Sequence, residues 1–179
     1  YNRRFGKHNV GGMLMYMQRD FKSDVLPHRN QGLSGRFTYD YDQRYLVEFN
    51  FGYNGTERLA KKDRFELFPA VSLGWVISNE KFFETFLDKI DNLKIRASYG
   101  LVGSDETGSG AGSYLYRDNV ELNSIGYTTG SGWNVTNKGP KILQYAIANA
   151  TWERARKLDI GLDITMFRNL HITADYFHE

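Results

Sequence analysis

The sequence predicts an all-β chain, a segment of an antiparallel up-and-down transmembrane β-barrel with about eight strands and one short helix at its short-turn, periplasmic end. Three observations carry this. Apolar and polar residues alternate with period two along most of the chain, so one strongly apolar face opposes a polar one. Tight turns alternate with longer connections, the asymmetry of a barrel with short turns at one end and long loops at the other. Aromatic residues reach 15% of 179 residues while mean hydropathy is negative and prolines number only 3, a balance that suits pleated strands.

A soluble β-sandwich, whose apolar faces pack on each other, accounts for alternation equally well. The membrane reading gains from the turn asymmetry and from aromatic residues near strand ends, namely Tyr41, Tyr45, Tyr53, Trp75 and Tyr176. It gains too from strands that reach the roughly 9 to 11 residues a tilted crossing needs. No run approaches the roughly 18 apolar residues of a membrane helix. With 23 basic and 21 acidic side chains the net charge is +2, which gives no electrostatic footprint for nucleic acid. Cysteine is absent, so neither a disulfide framework nor a thiolate metal site is expected.

The elements follow in order. A scrap of strand at 1–5 precedes a tight turn at 6–9 and a strand-like run at 10–18, whose alternation is blurred by Met13, Met15 and Met17. A longer connection is expected at 20–32. The next strand sets Phe37, Tyr39 and Tyr41 against Arg36, Thr38 and Asp40. After a tight turn at Asp42 and Gln43, Tyr45, Val47, Phe49, Phe51 and Tyr53 oppose Leu46, Glu48, Asn50, Gly52 and Asn54. A connection at 55–63, with Lys61 and Lys62 expected, like Arg44, near a membrane interface, leads to the run FELFPAVSLGWVIS. There Phe65, Leu67, Val71, Leu73, Trp75 and Ile77 are expected to face lipid, and Ala70, Ser72, Gly74 and Ser78 the lumen. Pro69 has no N–H for a ladder and should mark a bulge or the extracellular rim.

Residues 79–91 place Phe82, Phe83, Phe86 and Leu87 at helical spacing, hence the short amphipathic periplasmic helix. Leu93, Ile95, Ala97, Tyr99 and Leu101 then oppose Lys94, Arg96, Ser98 and Gly100. The stretch 102–148 is rich in Gly, Ser, Thr and Asn and lacks any sustained period, so a long extracellular loop is expected. Its aromatics Tyr114, Tyr116, Tyr127 and Trp133 argue against plain disorder. Near the end, Leu158, Ile160, Leu162, Ile164 and Met166 oppose Asp159, Gly161, Asp163 and Thr165. A turn at 167–169 returns the chain as Leu170, Ile172, Ala174 and Tyr176 against His171, Thr173 and Asp175.

Enzyme chemistry has little to stand on. His8, His28, His171 and His178 are scattered, without HExxH or paired-ligand spacing, so no metal site and no catalytic residue is expected. Ser104 to Glu106 and Gly108 to Gly110 lack the Lys-Ser/Thr and following helix of a phosphate loop. No cofactor is implied.

The stretches GKHNVGGMLMYM at 6–17, GRFTYDYDQRYLVEFNFGYNGTERLAKKDRFELFPAVSLGWVISNE at 35–80, DNLKIRASYGLVG at 91–103 and ATWERARKLDIGLDITMFRNLHITADYF at 150–177 together resemble the barrel of the SusC/RagA-like TonB-dependent outer-membrane transporters. Departures fall in loops, at Thr56-Glu57 and at Ala148-Asn149-Ala150. The resemblance implies that residues 1–179 are a partial barrel domain of a longer chain, with the plug domain and the TonB-contacting segment outside it. It implies a multi-pass outer-membrane protein that imports glycans or oligopeptides, set in outer-membrane lipid, driven through the TonB complex and capped by a SusD-like lipoprotein. Tyr114, Tyr116, Tyr127 and Trp133 are then candidates for substrate or partner contact, since aromatic rings stack on sugars. Stiffening of the loop explains them as well. Glu48, Lys94, Arg96, Asp159 and Asp163 are candidates for facing the lumen or plug, and a hydrated barrel wall accounts for each singly. The competing reading is a carbohydrate-binding outer-membrane or surface β-protein without transport activity.

Overall fold

The computed structural model describes residues 1–22, 28–86, 88–106, 114–124 and 126–179. In chain order it contains β1 (Asn2–Phe5), β2 (His8–Phe21), β3 (His28–Tyr41), β4 (Tyr45–Thr56), β5 (Phe65–Val76), two 3₁₀ turns (Ile77–Asn79 and Lys81–Phe86), β6 (Ile90–Ser104), β7 (Asn119–Glu121), β8 (Tyr127–Thr129), β9 (Val135–Asn137), β10 (Lys141–Gln144), β11 (Glu153–Met166) and β12 (Leu170–His178). Eight strands form one antiparallel sheet in the order β1-β2-β3-β4-β5-β6-β11-β12. Each strand pairs with its neighbour in sequence, apart from the step from β6 to β11. No helix among the described residues is long and apolar enough to cross a membrane, which says nothing of crossing by strands.

The sheet is a single layer, and this decides between barrel wall and sandwich. Among the described residues no second sheet lies on it, and the buried hydrophobics are only Leu59, Phe68, Phe83 and Trp152. Mid-sheet Phe49, Leu73 and Tyr99 expose 43%, 54% and 49% of their surface, where a sandwich would bury them. The outward positions of β5 from Phe65 to Trp75 are Phe65, Leu67, Pro69, Val71, Leu73 and Trp75, without a polar residue. At about 3.4 Å per residue they extend about 34 Å, or about 26 Å across a bilayer at a tilt near 40°, against an apolar band of about 25 Å on outer-membrane barrels.

Among the described residues the tight connections of the sheet lie at one end. The turns after β3 and β11 carry paired left-handed residues, Asp42 and Gln43 (φ 55° each) and Phe167 and Arg168 (φ 53° and 62°). Carboxylates steady them: Asp40 Oδ1 accepts the Gln43 N–H at 2.8 Å, and Asp91 Oδ2 accepts the Arg168 N–H at 2.7 Å.

Several expectations change. The connection expected at 20–32 is mostly strand, because β2 and β3 pair out to Phe21↔His28 and an Asp20–Arg29 ion pair of 3.0 Å joins their ends. Met13, Met15 and Met17 blur the alternation because they put apolar side chains on the polar face, where the register sets them beside Arg36, Ser34 and Gly32. Of the two places expected for Pro69 the bulge is absent, since Pro69 lies opposite Phe51 in an unbroken β4–β5 ladder, whereas the loosened pairing is present: the β5–β6 ladder starts only at Ala70↔Gly100, which accommodates the missing N–H. The short helix expected at 79–91 is 3₁₀ rather than α among the described residues. Two 3₁₀ turns stand there, with Ile77 and Ser78 inside the first rather than in the strand. A segment this short gains little from α-helical propagation, and Phe83 and Phe86, three apart, suit a 3₁₀ repeat as well as an α one. Phe83 is buried against Phe86 with ring centroids 5.6 Å apart, and Leu87 lies outside the described residues. The long connection carries nested pairing, β8 with β9 inside β7 with β10.

Candidate functional site

The polar face holds its charges in two groups. In the first, Arg96 on β6 reaches across β11 to three carboxylates: Asp163 Oδ2 accepts from its Nε at 3.3 Å, Asp159 Oδ1 lies 3.6 Å from Nη1, and Asp175 on β12 accepts a short hydrogen bond from Nη2. Arg96, Gly161 and Asp175 lie in one cross-strand row. Gly161 is the floor that lets the guanidinium cross, because a Cβ added there would stand 2.5 Å from Arg96 Cζ. In the second group Glu48 lies 3.3 Å from Arg36 Nε and accepts from Asn50 Nδ2 at 2.7 Å. A groove of about 350 Å³ runs between the two groups over Ser72 and Gly74, with Lys94 on its wall. Of the five charged candidates, the structure thus joins Arg96, Asp159 and Asp163, sets Glu48 in a separate pair, and gives Lys94 no ion pair with a described residue. Asp175 and Gly161, which the alternation places on the polar face but which are not among the five candidates, complete the first group.

The short-turn end is tied by Glu80. Its carboxylate accepts from Arg44 Nη1 at 3.1 Å and from Trp75 Nε1 at 3.2 Å, and Arg44 Nη2 donates to Asp42 Oδ2 at 2.7 Å. Lys7 completes the chain at 3.0 Å from Asp42. Hydrogen bonds from Tyr45, Trp75 and Arg44 outweigh burial and hold the Glu80 carboxyl below the ordinary carboxylate range. Lys7 and Arg44 lower Asp42 likewise, and Glu80 raises Arg44. Beside this knot the rings of His8, Tyr41, Tyr45 and Trp75 form a row across four strands, at 5.0, 6.3 and 6.5 Å between successive centroids. Tyr53 stacks on Phe65 at 5.5 Å near the opposite end, and Tyr176 joins neither group, lying level with Ile160 and Ala97.

At the long-loop end, Phe68 and Trp152 meet edge to face at 5.3 Å over Leu59, and Trp152 Nε1 donates to the Arg64 carbonyl at 3.2 Å. This cluster pins the return of the long connection against the 57–64 loop. Of the four loop aromatics, Tyr114 stacks on His28 at 5.7 Å and Tyr116 stands edge-on to Tyr114 at 6.2 Å. Tyr127 and Trp133 belong instead to the β8–β9 hairpin, where both are exposed. Beside the cluster opens a cleft of about 550 Å³, walled by Leu59, Leu115, Leu143 and Ile147 and edged by Asp105, Glu106 and Glu153. Among the described residues no three His, Asp or Glu side chains converge as a metal site.

A single antiparallel layer with one apolar face of bilayer height and one polar face is a wall segment of a transmembrane β-barrel. No protein-family model matches the chain. It is 31% identical over 140 residues, 78% of its length, to the TonB-dependent receptor SusC of Bacteroides thetaiotaomicron, and 29% identical over 156 residues, 87% of its length, to the TonB-dependent receptor P39 of Formosa agariphila. Those stretches make up 13% and 14% of the two receptors, so the chain spans about a seventh of the curated relatives it matches. Among solved structures, the RagAB peptide transporter superposes with a TM-score of 0.76 at 21% identity, over 99% of this chain and 22% of that one. The chain is a SusC/RagA-like TonB-dependent receptor fragment.

Proposed function

We propose that this chain forms part of the wall of an outer-membrane importer that takes up glycans or oligopeptides through TonB, with a SusD-like lipoprotein over its long-loop end. The observation that carries the reading is the two-faced sheet, whose apolar side matches a bilayer in height and whose polar side holds paired charges, as the wall of a water-filled lumen would. In this reading the short turns are periplasmic and the 102–148 stretch is extracellular. The Arg96 group, Glu48 and Lys94 line the lumen or meet a plug. Tyr41, Tyr45, Tyr53, Trp75 and Tyr176 contact lipid near the interfaces, and Tyr114, Tyr116, Tyr127 and Trp133 serve substrate or lipoprotein. SusC and P39 are named as receptors and RagAB as a transporter, none as an enzyme, which supports transport over catalysis. The test is growth of a strain lacking the gene on defined glycans and peptides as sole nutrients. The expected result is a defect relative to the wild type that the wild-type gene restores, with the difference between the two strains lost when TonB is removed from both. Normal growth on every nutrient, or recovery of the protein without detergent, refutes the reading.

A further inference from the structure

The cleft at the long-loop end has a chemistry that separates the two substrate classes. From its lining we infer that it binds oligopeptides bearing aliphatic and basic side chains, a step that rests on the import reading. Its walls are aliphatic, with Leu59 buried at the floor and Leu143 and Ile147 exposing 53% and 49% of their surface. The wall is held in place before any ligand arrives, because the Ile147 N–H donates to the Leu115 carbonyl at 2.7 Å and the Ala146 N–H to Asp118 Oδ1 at 2.7 Å. Among the described residues no aromatic ring lines it, which gives a sugar no flat surface there on which to stack. Exposed aliphatic side chains that frame a formed cleft are suited instead to covering an aliphatic side chain.

The edge supplies the second half of the specificity. Asp105 is already engaged, its Oδ2 accepting from Asn30 Nδ2 at 3.2 Å and its carbonyl from Arg58 Nη1 at 3.2 Å. Glu106 and Glu153 meet no basic side chain among the described residues within ion-pair distance. A neutral glycan leaves those two carboxylates uncompensated, whereas a lysine or arginine next to a leucine-like side chain answers both wall and edge. Tyr127 and Trp133, the more obvious sugar platforms, lie on the β8–β9 hairpin and not in this lining.

The test uses the whole receptor folded in detergent and three probes: an alternating leucine–lysine pentapeptide, its leucine–glutamine counterpart and maltopentaose. The lysine peptide is expected to bind about tenfold more tightly than the glutamine peptide at low salt, with the advantage shrinking as ionic strength rises. The double variant Glu106→Gln/Glu153→Gln should remove that advantage, while Leu143→Ser should weaken both peptides alike and leave the salt dependence in place. Both variants change exposed positions, and heat-modifiable migration on a gel checks that each is folded. Equal binding of the two peptides, an unchanged lysine-peptide affinity in the double variant, or binding of maltopentaose alone overturns the inference. Uptake by cells separates this from the function itself. Glycan import without peptide binding overturns the cleft assignment and leaves import standing, while peptide binding without import of any solute does the reverse.

Discussion

Val71 gives the sharpest test of which face meets lipid. It lies on β5 between Phe49 and Tyr99, six residues from Phe65 and four from Trp75, which puts it about 3 Å from the middle of the apolar band at 3.4 Å per residue and a tilt near 40°. An arginine at the midplane of a barrel's outer face costs about 2 to 4 kcal/mol, and one near the interface about 0 to 1 kcal/mol. Val71→Arg should therefore lower the folded-to-unfolded ratio roughly 30- to 1,000-fold, and Phe65→Arg, at the edge of the band, no more than about fivefold. Ser72→Arg is the internal control. It differs by one residue in position, yet its side chain points to the polar face beside Glu48 and Ser98, so its cost should stay within about 0.5 kcal/mol. The whole receptor is refolded into lipid vesicles and titrated with urea, and the folded fraction is read from heat-modifiable migration. If Val71→Arg costs no more than Ser72→Arg, the outward face does not meet lipid and the barrel reading of this face fails.

Three further outcomes follow from the same geometry. The Glu80 carboxyl is held below its ordinary value of 4.5, so it stabilises the fold fully above that value and the contribution disappears as pH falls through its lower folded value; Glu80→Gln should flatten the acid limb of a pH–stability profile and change the neutral-to-basic limb little. Gly161→Ala should push the Arg96 guanidinium off its row, and a double-mutant cycle with Asp175→Asn should find the two coupled by about 0.5 to 3 kcal/mol in urea unfolding; additivity would show that Arg96 does not depend on crossing Gly161 to reach Asp175. Trp152→Ala removes one of three buried side chains under the long connection and should cost about 3 to 5 kcal/mol of local packing, seen as faster protease cleavage in 105–151 before the sheet itself unfolds.

The parts of this fold legible in the sequence are those fixed by a local period. Tyr45 to Tyr53 and Leu158 to Met166 declare their faces two residues at a time, and the structure keeps both faces as read. The Met13, Met15 and Met17 row defeats the same reading, since three apolar side chains on the polar face erase the contrast that the eye follows; only the register with Arg36, Ser34 and Gly32 assigns them. Residues 77–86 fail for a different reason. A three-residue and a four-residue spacing of phenylalanines are nearly indistinguishable over so short a run, and the choice between 3₁₀ and α is made by the turn that must return β5 to β6.

The charged site lies beyond any local period. Arg96 meets Asp163 across 67 residues and Asp175 across 79, so its partners depend on the register of strands separated by the whole long connection. What the sequence does carry is the glycine. A glycine amid Leu158, Ile160, Leu162 and Ile164 forfeits packing and costs backbone entropy, and a strand tolerates that where something must pass close over its backbone. Here it is a guanidinium, which joins three strands by lying flat across the middle one. Such a staple needs the register of β6, β11 and β12 to hold within one residue, because a single slip turns Arg96 or Asp175 to the apolar face. The polar face therefore does more than tolerate water: its ion pairs select the one register in which the opposite face is uninterrupted and apolar.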